Sequence, residues 1–272
     1  MTPLHVQGLE KHYPGFSLTD MSFDLRPGMI TGLIGRNGAG KTTTLRSILG
    51  FLHRDAGEIR FWDEELDKAK HRIGYVGGGV RFYPTKKLKT ITDVTRGFYV
   101  NWDADIYRRL MSQFSLDEMK TPKQLSEGMK VKYALVLALS HRAELLILDE
   151  PTSGLDPVSR DELLELFLEL RDQGTTILFS THITSDLEHC ADDLLYIRQG
   201  KLLAADSLKG FAEAWRLVHL EDRPVDTQGL VGIRRERDGY TALIPANDAG
   251  GYPSEETDLE TIMVHLEREA EL

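Results

Sequence analysis

The 272-residue chain has a single cysteine, Cys190. One thiol cannot close an internal disulfide, so packing must hold the fold and a reducing compartment is expected. Cys190 lies in SDLEHCADDLLYI, at an expected helix-to-strand junction, and reads as a buried structural thiol. Long apolar runs are also missing. No stretch approaches the roughly 18–20 residues that span a bilayer. The opening MTPLHVQGLEKHYPG lacks the basic-then-apolar order of a secretory signal. A role at a membrane would therefore need another chain to do the spanning. Positive charge is scarce too: 33 Lys and Arg face 43 Asp and Glu, for a net charge of −10. That balance speaks against non-specific nucleic-acid binding. Long repeats and low-complexity tracts are absent. The 41% hydrophobic content suits one medium domain with a small second one.

What is present reads as an α/β chain. LHVQGLEKHY alternates apolar and polar residues, as an edge strand does, and FSLTDMSFDLRPG reads as a second strand ending in a Pro27-Gly28 turn. MITGLIG suits a short buried strand, and KTTTLRSILGFL a helix. GEIRFWDEEL and HRIGYV read as further strands. Residues 80–142 change character. ITDVTRGFYVNW, DADIYRRLMSQF and GMKVKYALVLALSHR carry helical patterns, which predicts a helical insertion. AELLILDEP returns to a buried strand. SRDELLELFLELRDQG is an amphipathic helix stopped by Gly174. TTILFSTH reads as strand, ITSDLEHCA as helix, and DLLYIRQGKLLAAD as a hairpin around Gln199-Gly200. After about Leu208 the pattern restarts. WRLVHLE, LVGIRRERDGYTALIPA and the acidic helix DLETIMVHLEREAEL predict a small α+β appendage, giving units of 1–210 and 211–272.

Five short segments carry chemistry. Gly35-Arg-Asn-Gly-Ala-Gly-Lys-Thr fits the phosphate-loop pattern G-x-x-x-x-G-K-[ST], with a strand before it and a helix after it. Small residues here (Gly35, Gly38, Ala39, Gly40, beside Asn37) let backbone N–H groups point at phosphate oxygens, and the helix start adds its positive dipole end. Lys41 would reach the β- and γ-phosphates of ATP, the Thr42 hydroxyl would ligate Mg²⁺, and Thr43 would touch the α-phosphate side. LLILDEP delivers Asp149 to a strand end, where it can hold Mg²⁺ through water. Glu150 follows and can act as general base on an attacking water. LSEGM sets Ser126 and Gly128 before a helix N-terminus, a second anion-seeking device. SGLDP holds Asp156. His182 closes the strand TTILFSTH next to the proposed γ-phosphate position.

In that order, phosphate loop, LSEGM, LLILDEP, SGLDP and STH, the chain resembles the ATP-binding subunit of an ABC transporter over about residues 1–210. The run LSEGMKVKYALVLALSHRAELLILDEPTSGLDP resembles subunits of bacterial exporters that work with a separate permease. The resemblance implies a P-loop ATPase core with an N-terminal antiparallel β region and a helical insertion. It implies that Tyr13 stacks on adenine, that His182 is the switch contacting the γ-phosphate, and that Ser126 and Gly128 bind the ATP held by a second subunit. Asp156 would lie in the loop that crosses between subunits. Two subunits, identical or paralogous, would close on two ATP molecules. The insertion would receive the cytoplasmic helices of a transmembrane permease, at the cytoplasmic face of the membrane.

Two departures stand out. The family follows a strand such as IGYV with Gln or an acidic residue near Mg²⁺ and the attacking water. This chain has Gly77, Gly78 and Gly79, with Gly78 at the equivalent position, so that water or a neighbour such as Arg81 would have to compensate. The signature LSEGM replaces the commoner LSGGQ but keeps Ser126 and Gly128. A slow or inactive regulatory subunit is therefore the competing reading. A soluble ABC ATPase of DNA repair or translation would need coiled-coil insertions or a second cassette, for which the chain has no room. A small-molecule kinase would leave LSEGM unexplained. Lys86, Lys87 and Lys89 read as a solvated face. Phe82, Tyr83, Phe98, Tyr99 and Trp102 read as core or as part of a permease groove.

Overall fold

A computed structural model of the protein describes residues 1–79 and 82–268. In chain order, β1 (His5–Tyr13) and β2 (Phe16–Asp24) lead to β3 (Ile30–Ile34), α1 (Lys41–Ile48), β4 (Ala56–Arg60), α2 (Leu66–Ala69) and β5 (Ile73–Val76). The helical stretch holds α3 (Leu88–Arg96), α4 (Ala104–Gln113) and α5 (Glu127–Ser140). Next come β6 (Leu145–Asp149), α6 (Pro157–Asp172), β7 (Thr176–Thr181), α7 (Thr184–Cys190), β8 (Asp193–Arg198) and β9 (Lys201–Ser207). The chain closes with α8 (Leu208–Glu213), β10 (Trp215–Leu220), β11 (Val231–Glu236), β12 (Gly239–Pro245), β13 (Ser254–Glu255) and α9 (Leu259–Arg268).

A six-stranded sheet in the order β5-β6-β7-β3-β8-β9 forms the centre. Its ladders are parallel except β8–β9, which is the hairpin expected around Gln199-Gly200. The parallel strands are buried on both faces, which explains why they read as unbroken apolar runs. Alternate side chains serve two different cores. Leu145, Ile147, Leu178 and Leu195 pack with α1 and the N-terminal strands. Leu146, Leu148, Ile177 and Phe179 pack with α5, α6 and α7.

The N-terminal sheet has the order β2-β1-β4, antiparallel throughout. β1 is therefore the middle strand, not an edge. Its alternation reports one buried face, and says nothing about how many strands it pairs with. GEIRFWDEEL is also shorter as a strand than expected. β4 ends at Arg60, and Trp62 and Asp63 take positive φ values of 49° and 65°, turning the chain back so that Phe61 bridges Glu64. That turn contains no glycine or proline to announce it. ITDVTRGFYVNW likewise gives a helix only to Arg96, with Gly97 at its C-cap.

Helices α3, α4 and α5 fill the stretch before β6. Tyr133 is fully buried there, and its hydroxyl shares the Thr92 hydroxyl with Tyr107 at 2.8 and 3.0 Å. The aromatic set divides. Phe82 and Trp102 pack on Tyr133 and Tyr107. Tyr99 stacks on His141 with centroids 3.9 Å apart. Tyr83 and Phe98 remain 76% and 80% exposed. Lys86, Lys87 and Lys89 are exposed, as expected. Cys190 is buried at the end of α7, and burial pushes its thiol up to about 12.

Beyond α8, a four-stranded antiparallel sheet in the order β11-β12-β10-β13 packs with α9. The appendage is tied to the central core. The Leu259 N–H donates to Glu188 of α7 at 3.0 Å, the Tyr196 hydroxyl of β8 donates to Glu267 at 2.8 Å, and Leu243, Leu259 and Ile262 share the core of α7 and β8. The end of the acidic helix, residues 269–272, and Arg81 lie outside the described residues. No helix among the described residues is long and apolar enough to cross a membrane.

Candidate functional site

The carboxyl ends of β3, β6 and β7 meet because their registers align: Ile34 pairs with Thr181, and Asp149 with Ser180. Open parallel sheets bind ligands at this end. The loop of residues 35–40 leaves β3 here and turns into α1, whose N-cap is Gly40. The loop packs tightly. A Cβ at Gly35 would lie 2.2 Å from the Ile197 carbonyl oxygen. At Gly40, where φ is +116°, it would meet Leu18 at 2.7 Å and Phe16 at 2.9 Å. Arg36, Asn37 and Gly38 are exposed at the loop tip, whereas Ala39 is buried and its N–H donates to the Arg36 carbonyl at 3.0 Å.

Lys41 is buried, and its ammonium donates to the carbonyls of Gly35 at 2.7 Å and Arg36 at 3.3 Å. It also stands 3.4 Å from the Glu150 carboxylate. The other Glu150 oxygen is 3.4 Å from His182 Nδ1. Asp149, itself buried, accepts hydrogen bonds on one oxygen from the Thr42 hydroxyl at 3.0 Å and the Ser180 hydroxyl at 2.8 Å. Three segments far apart in sequence, residues 35–42, 149–150 and 180–182, thus come together in polar contact. Thr43, next to Thr42, is half-buried on the first turn of α1.

Glu150 has φ of +48°, a left-handed conformation uncommon for a side-chain-bearing residue. Its N–H is held by the Ser180 hydroxyl at 2.9 Å and the Ser180 carbonyl at 3.2 Å. Sequence reasoning passed over Ser180. Its signal was a hydroxyl ending the buried apolar run Ile177-Leu178-Phe179, where a polar group needs a partner.

Gly78 lies against the same network. A Cβ there would sit 3.1 Å from the Asp149 carbonyl oxygen and 3.8 Å from its carboxylate. The position faces Asp149 but brings no side chain. Gly77 is confined by the Tyr75 hydroxyl, 2.9 Å from where its Cβ would be. Residues 77–79 also line a cleft of about 600 Å³, together with Arg46, Tyr75, Tyr99 and His141. Burial moves the Tyr75 hydroxyl above the usual tyrosine range and lowers His141 below the usual histidine value.

Ser126, Gly128 and Asp156 form a separate group. Ser126 caps α5, its hydroxyl accepting the Met129 N–H at 3.2 Å. Gly128 abuts Ser159 and Leu155 at the start of α6, where a Cβ would meet Ser159 at 3.3 Å. Asp156 caps α6 and accepts from the Ser159 hydroxyl at 2.7 Å and the Ser159 N–H at 3.1 Å, bonds that hold its carboxyl below the usual range. Tyr13 is 40% exposed at the end of β1 and pairs across the hairpin with Phe16, whose ring abuts Gly40. Among the described residues, no group of three or more His, Cys, Asp or Glu side chains is arranged to hold a metal ion.

Residues 18–153 match the protein family described as ABC transporter. The chain is 32% identical over 243 residues to the ABC transporter ATP-binding protein YtrB of Bacillus subtilis (strain 168), covering 85% of this chain and 82% of that protein. It is 35% identical over 224 residues to the Nod factor export ATP-binding protein I of Burkholderia pseudomallei (strain 1710b), covering 79% of this chain and 74% of that protein. A solved ATP-binding subunit of an ABC transporter superposes with a TM-score of 0.69 at 30% identity, over 77% of this chain and 91% of that one. The chain belongs to the ABC transporter family, in which it is an ATP-binding subunit and an ATPase.

Proposed function

We propose that this subunit is the hydrolytic motor of an exporter, closing with a second ATPase subunit on two ATP molecules and moving a transmembrane permease. The observation that carries the hydrolytic part of this reading is the set of contacts linking Lys41, Glu150 and His182 beside Thr42 and Asp149, and the likeness to the Nod factor export ATP-binding protein supports export. A subunit that only bound nucleotide would have no chemical need for Glu150 and His182 on one chain of contacts.

The roles follow from chemistry. The backbone of residues 35–40 and the α1 N-terminus cradle the phosphates, and the Lys41 ammonium balances charge on the β- and γ-oxygens. Glu150 accepts a proton from the attacking water as the bond to the γ-phosphorus forms and ADP leaves. His182, touching Glu150, contacts the γ-phosphate. The Thr42 hydroxyl and Asp149 carboxylate are hard oxygen donors, which suits Mg²⁺ completed by phosphate oxygens and water. Mg²⁺ held by these two side chains would supply positive charge against the phosphates. Tyr13 offers its ring to adenine. Ser126 and Gly128, at the helix start of α5, offer N–H groups to the ATP of the partner subunit, with Asp156 at the seam. The cleft lined by residues 77–79, Phe82 and Tyr99, with Tyr83 and Phe98 exposed next to those two in sequence, suits the permease's cytoplasmic helices. The subunit would then work at the cytoplasmic face of the membrane, with no nucleic-acid partner.

A second reading, a slow or inactive regulatory subunit, is favoured by one observation: Gly78 faces Asp149 without a side chain. Hydrolysis of Mg-ATP across a range of protein concentrations, beside Glu150→Gln, separates the two. The motor reading expects a rate rising more steeply than concentration and falling at least about a hundredfold in Glu150→Gln, with ATP still bound. No rate above that of the variant would favour the regulatory subunit. In transport-coupled membranes, Tyr83→Ala with Phe98→Ala should lower transport by about tenfold while leaving basal hydrolysis unchanged. Normal transport would remove the groove assignment.

A further inference from the structure

One fully buried carboxylate has no place in the chemistry above. Asp186, on α7, is 0% exposed. One of its oxygens accepts from the Thr152 hydroxyl at 2.6 Å and the Thr181 hydroxyl at 3.1 Å. The other accepts from the Arg160 guanidinium, whose remaining arm donates to the Ser185 hydroxyl at 2.7 Å. Each spoke leads to a different functional segment. Thr152 lies two residues after Glu150. Thr181 precedes His182, and its hydroxyl also accepts the Ile183 N–H at 3.0 Å, which fixes the chain just past the histidine. Arg160 sits on the first turn of α6, its N–H bonded to the Asp156 carbonyl at 3.0 Å.

We propose that Asp186 is a positioning residue for hydrolysis, fixing the segments of Glu150, His182 and Asp156 relative to one another. The proposal rests on reading Glu150 and His182 as the hydrolytic pair. Its physics is that of a buried charge whose four acceptor positions are largely filled. With the guanidinium on one oxygen and two hydroxyls on the other, it accepts only one arrangement of its neighbours. Glu150 stays in its left-handed conformation only while the following turn is held. Asp186 touches none of the groups assigned to ATP, so its effect passes through placement.

Three variants test it: Asp186→Asn, which removes the charge; Thr152→Val, a near-isosteric cut of the spoke to Glu150; and Glu150→Gln as reference. Asp186→Asn and Thr152→Val should each lower kcat by about tenfold or more, the cost of a small misplacement, with KM and ATP affinity within about threefold. Hydrogen exchange without added nucleotide should quicken in residues 150–156 and 181–186 together. A kcat within twofold of the wild type in both variants overturns the proposal. So does an equal loss of ATP affinity and kcat, which marks a merely structural role. Should Asp186→Asn fail to fold, Thr152→Val carries the test alone. Wild-type turnover in Glu150→Gln removes the catalytic reading beneath the proposal. An inert Glu150→Gln beside an unimpaired Asp186→Asn removes the positioning role only.

Discussion

Residues 35–40 and 77–79 are both glycine turns leaving parallel strands, and both end against Asp149, one through Thr42 and one through Gly78. Glycine does opposite work in them. In the first, backbone and neighbouring side chains fill the space, and the carbonyl of Ile197 sits where a Cβ of Gly35 would go. In the second, Gly78 has an ordinary backbone, a Cβ there would press only on the Asp149 carbonyl oxygen at 3.1 Å, and what the position lacks is a functional group. The first turn is glycine because nothing else fits. At Gly78 in the second, a side chain needs only a few tenths of an ångström of give from Asp149.

The largest effect is expected at the first turn. Gly35→Ala forces backbone to move, and overpacking of this kind costs about 1–3 kcal/mol. The loop that presents its N–H groups should distort with it, so ATP affinity should fall by about a hundredfold, read by equilibrium binding. Wild-type affinity would mean that the loop tolerates rearrangement and that the contrast between the turns is false. At the second turn, Gly78→Gln should fold, losing about 1–2 kcal/mol of unfolding free energy, because its backbone suits any residue but the Asp149 carbonyl must give slightly. Kinetics should show a kcat raised by about two- to tenfold at constant KM, through a polar group aimed at Asp149. An unchanged kcat would show that the site has no use for that group. The smallest effect concerns His141, on the wall of the same cleft. Burial lowers its folded value below the usual 6.5. The unfolded chain therefore binds the extra proton first, and stability that is intact above about pH 6.5 declines as pH falls below it. His141→Phe, which keeps the stack on Tyr99, should flatten that decline in thermal melts taken between pH 7.5 and 5.5. The same slope in the variant would assign it to other groups.

The first turn was legible in sequence for a physical reason. A phosphate cradle needs consecutive N–H groups, so its residues are contiguous. LLILDEP was legible similarly, since a buried parallel strand must be an apolar run with the chemistry at its end. The hydroxyl of Ser180 and the carboxylate of Asp186 act through contacts with residues about 30 positions away, and no local pattern encodes such a contact. β1 was misjudged because alternation depends on burial of a face while edge position depends on pairing. The turn at Trp62 and Asp63 was hidden because residues other than glycine hold its positive φ values.

One of those positive φ values has a consequence for how such a sequence persists. At Glu150 the left-handed backbone is one that folding alone would give to glycine or asparagine, which adopt it with less strain. A search for thermal robustness would discard the glutamate early, and on the proposed mechanism the chains it selected would be sturdier and inert. The residue proposed as the general base is thus kept against the preference of its own backbone, a local trade of durability for work.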